Sequence, residues 1–252
     1  MAKILAIHSY RRGTGKSSLA VNLAVLFAAA GKRAGLIDFS QPPCLHLPFG
    51  LQSSEIGYYL DDYLDEECAI EQVAQDVTGR LEPDLSGKVF LIPASPKFDE
   101  ADLAPRKYPA ERMEKGILDA TEMLALDHLV LDTPAGINDN ALLALAICDT
   151  LLEILRLDQQ DYQGTAVVLE LAQKLAIPEI HLVVNFVTER HQPKAIKAKL
   201  QRSYGFDVAA ILPNSEDMLV NSVKNTFVLA RPQHPLTLAL QKLAEKLGAK
   251  SP

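Results

Sequence analysis

The chain alternates short apolar runs with longer segments of helical period. Lys3 to His8 is an apolar run of strand length that ends in a turn-rich stretch. Ser17 to Ala30 reads as a buried helix, and Gly31 supplies its stop. Ala34 to Ile37 is a second strand ending at Asp38, and Gln41-Pro42-Pro43 forces a loop after it. Ile56 to Ala74 predicts one or two short helices with an acidic face. Lys88 to Ile92, Leu129 to Leu131, Thr150 to Leu155, Ile180 to Val187 and Val208 to Leu212 predict further strands. Between and after them, helices are expected over Ala110 to Leu126, Asn138 to Ala146, Gly164 to Leu175, Lys194 to Tyr204, Asp217 to Lys224 and Leu236 to Leu247. The polar stretch from Leu157 to Gly164 reads as a loop at the ligand edge, either a dimer or partner surface or an ordinary connection.

Strand and helix alternate almost throughout. That order predicts an α/β fold, a doubly wound and mainly parallel sheet with helices on both faces. The 252 residues are compatible with one domain over 1–252. In such sheets ligands sit at the carboxyl ends of the strands. Asp38, Asp132 and the segment after His8 all fall at that edge.

Composition narrows the picture. The formal charge of −7 does not suit a protein that coats nucleic acid with its whole surface, though it leaves room for a local basic patch. Cys44, Cys68 and Cys148 are widely spaced and odd in number, which indicates neither a zinc ribbon nor a disulfide framework. A reducing cytoplasm is the simplest compartment. The opening run has strand length and is not the core of a secretory signal, and no run reaches the roughly twenty apolar residues of a membrane helix.

The densest chemical signal is Ser9-Tyr10-Arg11-Arg12-Gly13-Thr14-Gly15-Lys16-Ser17-Ser18, placed after a strand and at the start of a helix. That is the setting of a phosphate loop. Backbone N–H groups and the positive end of the helix dipole surround phosphate oxygens, and glycine lets the backbone approach them. Gly13, Thr14, Gly15, Lys16, Ser17 and Ser18 are the expected phosphate cradle. Lys16 neutralises the β and γ phosphates of ATP, and the Ser17 hydroxyl ligates Mg²⁺. Tyr10 stands where the standard motif has a glycine, six positions before the lysine.

With these residues in view, the sequence resembles the MinD/ParA family of P-loop ATPases. That family's Lys-Gly-Gly-x-Gly-Lys-Ser/Thr pattern falls on Arg11 to Ser17. Further matches are Asp38 in Leu36-Ile37-Asp38-Phe39, the segment Asp132-Thr133-Pro134-Ala135-Gly136, Asn185 in Val183-Val184-Asn185, and Pro213 in Ile211-Leu212-Pro213. The resemblance implies Mg²⁺ held by Ser17 with Asp38 and Asp132, adenine contacted at Asn185 and Pro213, and Lys16, Asp38 and Arg11 as the catalytic set. It also implies an ATP-dependent homodimer in which Arg11, in the place of the signature lysine, reaches the partner's phosphates. Arg12 replaces a glycine, which carries strain if that position has positive φ. Ser40 stands where relatives often have a second acid that orients water, and a serine is no base.

Other clusters have plainer readings. Arg190, Lys194, Lys197, Lys199 and Arg202 form a basic stretch that reads as a solvated helix face, with non-specific DNA as the alternative. The acids from Asp61 to Glu67 read as a solvated face, with docking of a partner as the alternative. His8 and Cys148 read as packing residues. Leu236, Leu240, Leu243 and Leu247 lie on one face of the last helix, which lacks Phe, Trp and a strong basic face, so it is expected to dock on the core and not on a membrane. The function that follows is a weak Mg²⁺-dependent ATPase whose nucleotide-dependent dimerisation switches binding to an as yet unidentified protein partner or surface. Its place is the cytoplasm, with recruitment to nucleoid or membrane through partners. The rival is an ATP-binding regulatory adaptor that hardly hydrolyses. A capsule-type tyrosine kinase and an electron-transfer relative fit less well: there is no tyrosine-rich tail and no marked cysteine pair.

Overall fold

The structure is a computed structural model that describes residues 1–40, 42–82, 84–96, 109–221 and 226–249. Among the described residues eight strands form one sheet: β1 (Lys3–His8), β2 (Arg33–Asp38), β3 (Gln75–Asp76), β4 (Lys88–Ile92), β5 (His128–Asp132), β6 (Thr150–Leu155), β7 (Glu179–Val187) and β8 (Asp207–Pro213). Their order across the sheet is β3-β4-β2-β5-β1-β6-β7-β8. Every pairing is parallel except that of β3 with β4. The chain reverses its direction of travel across the sheet at β1, so the crevice past the end of β1 is the switch point where such folds place ligands.

The helices are α1 (Lys16–Ala29), α2 (Leu60–Leu64), α3 (Ile70–Val73), α4 (Ala110–Met123), α5 (Asp139–Ile147), α6 (Gln159–Lys174), α7 (Pro193–Tyr204), α8 (Glu216–Asn221), α9 (Phe227–Ala230) and α10 (Pro235–Leu247). Strand alternation divides the core in two. Leu5, Ile7, Leu36, Val130 and Ile154 face a cluster with α1, α9 and α10. Ala6, Ile37, Leu129, Leu131 and Leu155 face clusters with α4, α5, α6 and α7. Period-2 alternation on strands buried on both faces is what reads in the sequence as continuous apolar runs. Helix α1 is buried on nearly all sides, with Leu23, Ala24, Val25 and Phe27 fully covered.

The last helix docks as expected: Leu236, Leu240, Leu243 and Leu247 are buried in the α1 cluster. Cys148 is a packing residue under α5. Among the described residues no helix is long and apolar enough to cross a membrane.

Two expectations are corrected, and two elements were not expected. The stretch from Leu157 to Gly164 is largely helical, because Asp158 acts as an N-cap: its carboxylate accepts from Asp161 N and α6 starts at Gln159. The short antiparallel edge strand β3 and the small helix α9 gave too brief a periodic signal to be read. His8 does more than pack, as described below. The expected helix from Asp217 to Lys224 is seen as α8 up to Asn221, and Lys224 lies outside the described residues, as does Gln41 of the predicted loop.

Candidate functional site

The loop between β1 and α1 is shaped by two glycines in left-handed conformation, Gly13 (φ 73°) and Gly15 (φ 98°). Gly15 directly precedes α1, and among the described residues no side chain caps the helix, so its first-turn amides stay available for an anion. Arg12 is not among the positive-φ residues, so the arginine in place of glycine carries no backbone strain of that kind. Ser9 ties the loop together. Its Oγ donates to Arg11 O (2.6 Å) and accepts from Thr14 Oγ1 (2.8 Å) and Lys16 Nζ (3.0 Å).

Lys16 is buried, and burial lowers its pKa, while the Asp132 and Glu153 carboxylates oppose that fall. Ser17 Oγ donates to Asp132 Oδ2 at 2.6 Å. The other oxygen, Asp132 Oδ1, is buried without a hydrogen-bond partner among the described residues. Burial, then the neighbouring Asp38 carboxylate, pushes Asp132 up to about 7. The two acids are register partners on β2 and β5. The Ser17 hydroxyl and the buried Asp132 carboxylate, one of whose oxygens is orphaned, form a hard-oxygen donor set that suits Mg²⁺.

Asp38 is placed differently from Asp132. Oδ1 accepts from Ser40 N (2.9 Å) and Ser40 Oγ (2.5 Å), and Oδ2 accepts from Cys44 N and Leu45 N (both 2.9 Å). Burial raises its pKa and these bonds pull it back. Its carboxylate therefore shapes the 40–45 loop in this conformation. Ser40 is committed to the same carboxylate, and Cys44 lines the cleft beside Lys16 and Ser17 with its thiol pKa raised by burial and then by Asp38.

Beside the loop, Gly15, Leu19, Asn185, Phe186, Leu212 and Pro213 line an apolar pocket, closed further by Leu236 and Leu240 of α10. Asn185 and Pro213 thus meet at one pocket. The Asn185 amide is already engaged: Nδ2 donates to Thr14 O (2.8 Å), and Oδ1 accepts from Phe186 N (2.8 Å), whose φ is 57°.

Arg11 points to its own chain. Nη1 donates to both oxygens of Asp158 (3.1 and 3.3 Å) and to Asp161 Oδ1 (3.3 Å). Next to it, the Tyr10 ring lies against Gly164 of α6, where a side-chain carbon would overlap it. The first half of the phosphate loop is therefore seated on α6.

Outside this centre, Arg190, Lys194, Lys197, Lys199 and Arg202 are exposed on or beside α7, where Lys197 pairs with Asp207 (3.3 Å). The acids of residues 61–67 serve partly as local anchors: Asp62 accepts from Tyr59 N and Asp61 from Ser95 N. Sequence reasoning missed Ser9, Glu153, Asp158 and Asp161. Glu153, a lone acid inside the apolar run Thr150–Leu155, was a readable signal; the others became meaningful only once α6 lay beside the loop.

Comparison with known proteins supplies the family and the fold. The family profile described as CobQ/CobB/MinD/ParA nucleotide binding domain matches residues 5–225. An uncharacterised ATP-binding protein of Methanocaldococcus jannaschii is 27% identical over 254 residues, covering 99% of this chain and 89% of that protein. Among solved structures, the MinC:MinD cell division protein complex of Aquifex aeolicus is similar with TM-score 0.82 and 20% identity, over 100% of this chain and 97% of the other. The septum site-determining protein MinD of Pyrococcus horikoshii complexed with Mg-ADP is similar with TM-score 0.79 and 20% identity, over 98% and 96%. The chain belongs to the CobQ/CobB/MinD/ParA nucleotide-binding family and is of the MinD/ParA P-loop type.

Proposed function

We propose that this protein is a MinD/ParA-like molecular switch, acting as one P-loop domain over residues 1–252. It binds ATP and ADP with Mg²⁺ and changes its self-association and partner binding with the nucleotide. The observation that carries the reading is the Lys16–Ser17–Asp132 constellation at the end of β1: a buried cation, a hydroxyl and an orphaned carboxylate oxygen around uncapped helix amides. Lys16 and the amides of residues 13–18 hold the phosphates. Ser17 and Asp132 would hold Mg²⁺, with Asp38 beside them. The pocket at Asn185 and Pro213 takes the adenine. When bound, Mg²⁺ would supply neutralisation of phosphate charge.

Dimerisation with ATP brings two γ-phosphates toward a shared interface, where a cation from the other subunit is needed; Arg11 serves after leaving Asp158 and Asp161. Hydrolysis is weak, because Ser40 cannot act as a base and its hydroxyl is committed to Asp38. The M. jannaschii relative is named for ATP binding and the P. horikoshii structure holds Mg-ADP, which supports the choice of ligand. The A. aeolicus complex pairs MinD with MinC, which supports a protein partner here. The protein works in the cytoplasm, recruited to nucleoid or membrane through partners.

Calorimetry with MgATP tests the reading. Wild type is expected to bind, and Lys16→Ala is expected to lose binding by about a hundredfold or more, since a charge-assisted phosphate contact in a buried site is worth about 3 kcal/mol. Unchanged affinity in the variant overturns it. A second reading, an adaptor that binds ATP without turnover, is favoured by Ser40 alone; steady-state phosphate release separates the two.

A further inference from the structure

His8 and Glu153 are direct register partners on β1 and β6, and both side chains are fully buried. His8 Nδ1 lies 2.9 Å from Glu153 Oε2, and His8 Nε2 lies 3.0 Å from Gly136 O. Neither nucleotide contact nor core packing accounts for a buried acid and a buried imidazole at this place. The partners fix the protons. Gly136 O is only an acceptor, so Nε2 carries a hydrogen and donates it. A second proton lies between Nδ1 and Oε2, because an imidazole lone pair facing a bare carboxylate is repulsive. The pair thus holds two protons and is neutral overall, whichever side of the Nδ1–Oε2 bond the second occupies. Burial favours retention of that proton by raising the Glu153 pKa.

Gly136 is bound from both sides. Its N–H donates to Ser9 O (3.1 Å), and its carbonyl accepts from His8. Its φ is 78°, and a side-chain carbon there would meet Tyr10 O. Thr133 adds two bonds to Ile7 O, from N (3.2 Å) and from Oγ1 (2.9 Å). The segment 133–136 follows Asp132 and is therefore stapled to residues 7–9, the base of the phosphate loop. Residues 8 and 9 divide the work: Ser9 Oγ organises the loop, and His8 organises the segment opposite it.

We propose that His8 is a positioning residue. Its imidazole, held by Glu153, donates to Gly136 and fixes the 133–136 segment against the phosphate loop, so that rearrangement of this segment must break a buried proton-sharing clamp. The clamp is a property of the folded chain without ligand. Its role in the nucleotide response rests on the function proposed above.

The test uses the full chain in two arms. In the first, imidazole ¹⁵N NMR of nucleotide-free wild type reads the protonation of His8, whose signal is assigned by its absence from His8→Leu/Glu153→Leu. The expected spectrum has Nε2 protonated, with a slowly exchanging N–H; an unprotonated Nε2 overturns the proposal. In the second, the double variant removes both polar partners together, so no lone buried charge remains to unfold it. Amide exchange in peptide 133–138 is expected to rise about tenfold, while peptide 180–185 of β7 is unchanged. Glu153→Gln, whose amide can still donate to Nδ1, is expected to keep the slow exchange. Unchanged exchange at 133–138 in the folded double variant overturns the clamp. MgADP and MgATP titrations of wild type run alongside: failure to bind removes the nucleotide reading and leaves the clamp result standing.

Discussion

Arg11 is tied to Asp161, a carboxylate that is almost completely buried, across 3.3 Å and between elements far apart in sequence. Asp158 holds the same Nη1 from the exposed side, at 3.1 Å. Asp161 is itself fixed, since Oδ2 accepts from Arg156 N (2.9 Å) and Arg156 Nε (3.2 Å). The guanidinium is thus held inside its own subunit in this conformation. A trans role for Arg11 requires breaking these pairs.

Asp158→Asn is the clean probe of that competition. Asparagine keeps the N-cap to Asp161 N but removes the charge. If Arg11 acts across a dimer, the ATP-bound dimer should tighten by about fivefold, the worth of a partly exposed ion pair. Arg11→Ala should weaken it, and ADP should give no dimer in either variant. Light scattering against protein concentration measures all three; a dimer indifferent to nucleotide and to both substitutions removes the trans role.

Gly15 and Gly13 should respond differently to alanine. Both have positive φ, but a side-chain carbon at Gly15 overlaps the Asn185 amide, whereas among the described residues nothing lies within 4 Å at Gly13. Gly13→Ala should cost about 1 kcal/mol, the left-handed backbone alone. Gly15→Ala should cost about 3 kcal/mol and disrupt nucleotide binding, because Asn185 must release Thr14 O. Denaturant unfolding of the two variants gives the comparison, and equal losses would mean that the Asn185 contact does not constrain the loop.

Asn185 braces the loop with the amide that would otherwise be free for a base. Asn185→Ala is therefore expected to weaken ATP and GTP by similar factors, about five- to tenfold each, from loss of one hydrogen bond to the loop. Competition binding on both nucleotides decides this. A loss confined to ATP would instead assign Asn185 to reading adenine.

The buried acids make the ligand-free protein sensitive to pH. Asp132 is raised in the fold from 3.8 to about 7, and Asp38 is raised as well. The folded state then binds more protons than the unfolded chain between about pH 4 and pH 7, so stability is greatest at the acid end and falls as pH rises through that window. For Asp132 the loss is at most about 4 kcal/mol. The Tm of nucleotide-free protein should drop over this range, Asp132→Asn should flatten the drop, and MgADP should offset it by placing a cation at the carboxylate. A Tm that rises from about pH 5 to pH 7 in wild type would contradict the buried-pair assignment.

The sequence by itself determined the alternation of strands and helices, and with it the parallel sheet. That information is local: a strand buried on both faces must be apolar along its length, and a helix must repeat its apolar face every turn. It also determined the phosphate loop and the strand-end acids, because the glycines, Lys16 and Ser17 lie within a few residues of one another, and Asp38 and Asp132 each close an apolar run. What only the tertiary structure decided depends on neighbours far apart in the chain. The β3-β4-β2-β5-β1-β6-β7-β8 order sets Asp38 beside Asp132 and His8 beside Glu153. The helical start at Gln159 carries Asp161 and Gly164 to Arg11 and Tyr10. His8 shows the difference most plainly. A histidine ending an apolar strand reads as packing until the register supplies a buried carboxylate on one ring nitrogen and a backbone carbonyl on the other, and burial then obliges both polar groups to bond to each other.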